Sequence, residues 1–379
     1  MVVLNIRLDN LLLFRDFHLC LSYPKKIVGS TIENEHLQDR KNFRYRKLIV
    51  LMGANATGKT ALGKILMKIF NFIDRKEAGH IFGLIDNKTL PASFSIDFAF
   101  SDHTLYRVSA TVKAKENCNE EYSSDDISVS VNHVSIRTND SYETCAERLA
   151  DLPVQPGSFY IQELEKIPSL SWNFEYTYAS EGKQRAIHPV DVHLYAVILK
   201  EALTAMDPRI VDVTESRDIE NSYIIKYPNH SLMIKDGVIT EQEKLSSGTK
   251  EIIGVVQMIT SMKLSAADFY YCDEKFSHVH SDMEKAFLSV MIDLLKRDQQ
   301  LFFTTHNPDI LDMNLPKHSF AFLRRDEYDS YAVSCVYASD YLKKSTDSVY
   351  HAVENDLFSY SPDTEDILRL AEPCEVAYE

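Results

Sequence analysis

The stretch Gly53-Ala54-Asn55-Ala56-Thr57-Gly58-Lys59-Thr60 fits the pattern G-x-x-x-x-G-K-[ST]. In such a loop the glycines let backbone N–H groups turn inward around phosphate oxygens. Lys59 would neutralise the β- and γ-phosphates of a nucleotide, and the Thr60 hydroxyl would bind Mg2+. A second set lies far along the chain, in "FYYCDEKFSHVH". Asp273 closes an apolar run and is placed to hold Mg2+ through water, while Glu274 can polarise an attacking water. Phosphoryl transfer to water needs that division of labour, one carboxylate for the metal and one for the nucleophile. Ser246-Ser247-Gly248 stands just before a helical pattern, whose first turn offers free N–H groups and the positive end of a dipole. That makes a second anion site, although the triplet alone reads as well as a serine cap with a glycine turn. His306 ends another apolar run, 32 residues after Glu274, where a histidine can hydrogen-bond a γ-phosphate or the attacking water. His278, His280 and Asp282 have ligand-type spacing, but without a cysteine they form a poor zinc set.

These residues need elements to hold them. "KLIVLMG" is a short apolar run ending in a glycine, as a buried parallel strand does. From Lys59 onward, Leu62, Ile65, Leu66 and Ile69 recur at helical spacing. Strand, glycine loop and helix are the context the phosphate motif requires. "DFYYCDE" and "QQLFFTTH" read as core strands, with the helix "SDMEKAFLSVMIDLLKRD" between them. The alternating segments "VVLNIRLDNLLLFRDFHLCLS", "SFSIDFAFSDHTLYRVSATV" and "DISVSVNHVSIRT" predict a hairpin and further antiparallel strands of a second sheet. "HPVDVHLYAVILKEALTAMDP" and "GTKEIIGVVQMITSMKLS" predict helices, and "SYIIKYPNHSLMIKDGVIT" a hairpin.

The chain has 379 residues, enough for one large domain or two to three smaller ones. No run approaches a membrane span, and the N-terminus has neither a basic segment nor a small-residue cleavage site, so a cytoplasmic location with reduced thiols is expected. The six cysteines form no C-x-x-C pair. A net charge of −15 disfavours a protein that wraps nucleic acid. Two basic clusters, Lys41, Arg44, Arg46 and Lys47, and Arg324 with Arg325, read as solvated surface.

In order, the chain carries a phosphate loop, a Ser-Gly helix start, an acidic strand end and a histidine strand end. That succession resembles the ABC-type ATPases, with Leu245-Ser246-Ser247-Gly248-Thr249 in place of the signature L-S-G-G-Q. Gln162, after "GSFYI", matches the family's Q-loop glutamine, which implies a role at the nucleotide and Mg2+. "LSSGTK", "DEKFSHVH" and "FTTHNPDILDMN" are closer to the soluble AAA/OLD-type ATPases, which pair with nucleases or toxins in bacterial anti-phage defence. The resemblance covers roughly residues 1–325. It implies an α/β fold, a P-loop ABC-ATPase-like sheet with an added antiparallel β-subdomain and a helical subdomain. It also implies a homodimer, or a higher even-numbered oligomer, in which Ser246, Ser247 and Gly248 of one copy close over ATP-Mg2+ bound at Gly53–Thr60 and Asp273 of the other. Glu274 and His306 would be the catalytic pair.

OLD nucleases carry a Toprim domain after the ATPase, for which the residues beyond Asp309 leave no room, so a separate effector protein, a nuclease or toxin, is expected. The expected organisation is an ATPase unit over 1–345, with its nucleotide-binding core at 1–75 and 240–325 and an inserted β/helical lid at 76–239. An acidic tail over 346–379 would follow, holding Glu354, Asp356, Asp363, Glu365 and Asp366. The alternative is a DNA-repair clamp like the RecF or SMC heads, and a transporter motor fits less well because the signature departs from L-S-G-G-Q.

Overall fold

The computed structural model describes residues 1–152, 159–176, 191–236, 238–325, 332–344 and 346–358. Along the chain these form β1 (Val2–Asp9), β2 (Phe17–Cys20), β3 (Leu48–Met52), α1 (Lys59–Arg75), α2 (Gly79–Phe82), β4 (Ala92–Ala99), β5 (Thr104–Val112) and β6 (Ile127–Ser135). Next come α3 (Tyr142–Ala150), α4 (Tyr160–Leu164), β7 (Trp172–Tyr176), α5 (Val192–Met206), β8 (Asp212–Glu215), β9 (Ser222–Lys226), β10 (Ser231–Lys235) and β11 (Val238–Ile239). The last are α6 (Ser247–Leu264), β12 (Phe269–Asp273), α7 (Ser281–Leu294), β13 (Gln300–Thr304), β14 (Phe320–Arg325), β15 (Val333–Tyr337), α8 (Ala338–Tyr341) and α9 (Val349–Glu354).

The central sheet runs β15-β14-β3-β13-β12-β7, parallel throughout except for β15 at one edge. Its strands are buried on both faces, which is why they read as unbroken apolar runs rather than alternations. Successive side chains nevertheless serve different cores, as the period of two demands. Ile49, Leu51, Tyr271, Phe302 and Leu323 pack with α1 and the antiparallel sheet β2-β1-β4-β5-β6. Val50, Tyr270, Cys272, Phe303 and Phe322 pack with α5, α6 and the small antiparallel sheet β11-β10-β9-β8. The fold is thus α/β: a P-loop ABC-ATPase-like sheet with an added antiparallel β-subdomain and a helical subdomain.

Three boundaries differ from those expected. Strands β1 and β2, assigned to the nucleotide-binding core, build the antiparallel sheet instead. Strand β7, inside the expected lid, is an edge strand of the central sheet, in register with β12 from Phe269↔Trp172 to Asp273↔Tyr176. Its five residues are all buried, and Trp172 and Phe174 pack on Phe70 of α1. The segment expected to open an acidic tail at residue 346 is packed against the core as far as Phe358. Val349, Ala352 and Val353 are buried, and Phe358 stacks on Phe322 with ring centroids 4.3 Å apart. Asp363, Glu365 and Asp366 lie outside the described residues.

Candidate active site

Strand β3 delivers the phosphate loop. Gly53 follows it where no side chain fits, since a Cβ would stand 2.5 Å from Thr57 Oγ1 and 2.8 Å from the Leu323 carbonyl. Gly58 takes φ 107°, a left-handed conformation that glycine adopts without strain, and so turns the chain into α1. The Lys59 ammonium is buried and donates to the carbonyls of Gly53 (2.8 Å) and Ala54 (3.3 Å). It also lies 3.4 Å from Glu274 Oε1. Burial pulls its pKa below the usual lysine value, and the charge and hydrogen bond of Glu274 oppose that shift without cancelling it. The Tyr271 hydroxyl, from β12, donates to the Lys59 carbonyl at 2.7 Å and ties the first turn of α1 to the sheet.

Neighbouring parallel strands bring the carboxylates to the same place. Register pairs Asp273 with Thr304, so the ends of β12 and β13 lie side by side. Asp273 is 2% exposed and accepts from Thr60 Oγ1 (2.7 Å) and Thr304 Oγ1 (2.8 Å). Burial raises its pKa above the ordinary carboxylate value, because two hydroxyl donors and Lys59 compensate only in part. Glu274 leaves the strand at φ 47°, its N–H donating to Thr304 Oγ1 at 3.0 Å. Its Oε1 meets His306 Nε2 at 2.8 Å. Burial pushes the Glu274 pKa up, but the His306 hydrogen bond and charge, with Lys59, outweigh it and hold the group below the usual range. Lys59, Thr60, Asp273, Glu274 and His306 therefore form one connected constellation.

The Ser-Gly start sits one step away. Ser246 caps α6, its hydroxyl accepting from the Thr249 N–H at 3.2 Å. Gly248 lies against the loop that follows Glu274, and a Cβ there would be 2.6 Å from the His278 carbonyl. Glu251, one turn on, contacts His278 through both Nδ1 (2.6 Å) and N–H (3.2 Å). Ser247 opens α6 and is exposed, as is Ser246. The helix start is thus built onto this chain's own Glu274 loop, with Ser246 and Ser247 exposed and Gly248 and Thr249 buried.

Gln162 is not gathered with the others. It is exposed on α4, whose Tyr160 donates to the carbonyl of Lys76 at the far end of α1. A helix of 17 residues is about 25 Å long, which separates that end from the phosphate loop. The solvated-surface reading of the basic clusters holds at Lys41 and Arg325, which are exposed, and fails at Arg46 and Lys47, which are buried. The Arg46 guanidinium stacks on the Tyr337 ring at 3.6 Å, and Lys47 is buried, donating to the carbonyls of Glu33 and Leu295. Arg325 donates to the Ala56 carbonyl of the phosphate loop at 2.6 Å. Thr304 was missed, although "TTH" at a strand end beside an acidic strand end carries its signal.

Among the described residues no group of three or more His, Cys, Asp or Glu could hold a metal ion, which removes the His278-His280-Asp282 set. Thr60 and Asp273 do fit Mg2+, which is held by one or two protein oxygens with substrate phosphates and water rather than by an all-protein cage.

No curated protein matches the chain. Similar solved structures include the SMC head bound to the C-terminal winged-helix domain of ScpA, at TM-score 0.51 and 13% identity, covering 93% of this chain and 100% of that one. An SMC head domain with an extended coiled coil, bound to the C-terminal domain of ScpA derived from Pyrococcus furiosus, gives 0.48 and 11%, covering 95% and 100%. The SMC head domain from Thermotoga maritima gives 0.42 and 13%, covering 89% and 99%. The first of these shows a shared fold. Residues 48–312 match the family described as "AAA domain, putative AbiEii toxin, Type IV TA system". With more than half of its length inside that match, from β3 past His306, the chain belongs to this AAA-domain family.

Proposed function

We propose that the chain binds and hydrolyses ATP as a homodimer, or a higher even-numbered oligomer, and that closure around ATP regulates a separate effector, a nuclease or toxin, in cytoplasmic antiviral defence. The observation that carries the ATPase reading is the convergence of Lys59, Thr60, Asp273, Glu274 and His306, drawn from two parallel strand ends and one helix start. Each has a part. The loop N–H groups and Lys59 bind the phosphates. Thr60 and Asp273 would hold Mg2+, which supplies charge neutralisation at the β- and γ-phosphates. Glu274, kept ionised by His306 and Lys59, accepts a hydrogen bond from the attacking water and orients it. His306 donates toward the γ-phosphate side while fixing the Glu274 carboxylate.

The α6 start supplies the remaining contact from a second copy, in the two-fold arrangement that makes both sites equivalent. ATP then favours the closed dimer because only that state makes the contact. The link to a toxin takes its support from the family's description, "AAA domain, putative AbiEii toxin, Type IV TA system", and the separate effector is our own addition to it. Among the described residues no helix is long and apolar enough to cross a membrane. Phosphate release tests the reading: the wild type turns over ATP with Mg2+, and Lys59→Ala does not. Equal release by both would overturn it.

The fold shared with the SMC head supports a second reading, a clamp on duplex DNA. A steep fall of ATP-dependent DNA binding with salt would favour that clamp, because each phosphate contact releases counterions. The net charge of −15 weighs against it.

A further inference from the structure

We propose that Glu284 is the positioning residue for His306. Glu284 lies on α7 and is 3% exposed. One of its oxygens accepts from Thr305 Oγ1 at 2.6 Å, and the other from Asn307 Nδ2 at 2.7 Å. A single buried carboxylate thus grips the residue on each side of His306. The grip is reinforced: the Asn307 N–H donates to Thr305 Oγ1 (2.9 Å), Asn307 Nδ2 to Ser281 Oγ (2.9 Å), and Ser281 Oγ to Asp309 Oδ2 (2.6 Å).

Regular pairing of β13 stops at Thr304, so this clamp takes over where the sheet ends. Helix α7 also follows directly from the loop that carries Glu274, and Ser277 Oγ on that loop donates to the Glu274 carbonyl at 2.7 Å. One segment therefore fixes both members of the pair that meet at 2.8 Å. The partners of Glu284 are neutral donors. Burying a carboxylate without a cation is costly, and an apolar side chain would fill the same space at less expense. Its retention is accounted for by the geometry it imposes.

The inference rests on His306 acting in ATP turnover. The test is steady-state ATPase kinetics with separate ATP-binding measurements on the full chain. Glu284→Leu lowers kcat by about 10- to 100-fold, the scale of misplacing a reacting group by about an ångström, while KM and ATP affinity stay within about 2-fold. Glu284→Gln recovers most of the loss, since an amide can accept from Asn307 and donate to the Thr305 hydroxyl. Adding Glu284→Leu to His306→Ala causes no further loss. Additive losses, or a defect confined to ATP affinity, would overturn the proposal. Should Glu284→Leu fail to fold, half-buried Asn307→Ala completes the same cycle with His306→Ala. A wild type that releases no more phosphate than Lys59→Ala refutes the ATPase reading itself. A His306→Ala variant as active as wild type refutes the role given to His306 and with it the positioning claim, and leaves ATP turnover through the other residues standing.

Discussion

Five side chains define the chemistry, and each can be removed singly. Glu274→Gln keeps the shape of the site but loses the base, so turnover falls by about 10²- to 10⁴-fold while ATP still binds, as phosphate release and equilibrium binding will report. The two carboxylates also have opposite effects on stability. In the folded chain Glu274 titrates below its unfolded value, so its stabilisation is present above the unfolded pKa and is lost as pH falls through the folded one. Asp273 titrates above its unfolded value and is a cost at neutral pH that disappears on acidification. Melts across a pH series should therefore show Asp273→Asn more stable than wild type near neutrality, with the gain fading as pH falls through the Asp273 value. The Glu274→Gln deficit should shrink on the acid side. A pH-independent difference in either variant would refute these assignments.

At the scale of elements, the site depends on how closely α1 and α6 approach the sheet. A Cβ on Gly63 would lie 2.5 Å from the Tyr271 ring, which is fully buried and anchored through its hydroxyl to Lys59. Gly63→Ala should destabilise the fold by about 1–3 kcal/mol, read as a lowered denaturation midpoint, and an unchanged midpoint would show that α1 is free to shift. Most elements were legible in the sequence, because α1, α6 and α7 are long and β12 and β13 end in polar residues that mark the sheet edge. The phosphate loop, Asp273, Glu274 and His306 were legible for the same reason. Strand β7 was not, since five buried residues with alternating aromatics do not say which sheet they join. Gln162 was misplaced with it. Thr304 had a signal in "TTH" that was passed over, and Glu284 becomes visible only when packing puts it against Thr305 and Asn307.

For the whole molecule, the claim is that Lys59 and Ser246 serve the same nucleotide from different copies. The fold makes this reasonable, since the α6 start is clamped to its own Glu274 loop by Glu251 and His278 while Ser246 and Ser247 stay exposed. A pull-down with Glu274→Gln held closed by ATP should retain the effector differently from Lys59→Ala, and equal retention would separate ATP closure from effector control. The most direct measurement mixes two defective chains, Lys59→Ala and Ser246→Arg, each inactive alone. In a mixed dimer one site regains an intact Lys59 and an intact Ser246, so ATPase activity should return to about a quarter of wild type in an equal mixture. No recovery from two folded, dimerising variants, or full activity of Ser246→Arg by itself, would contradict the shared site.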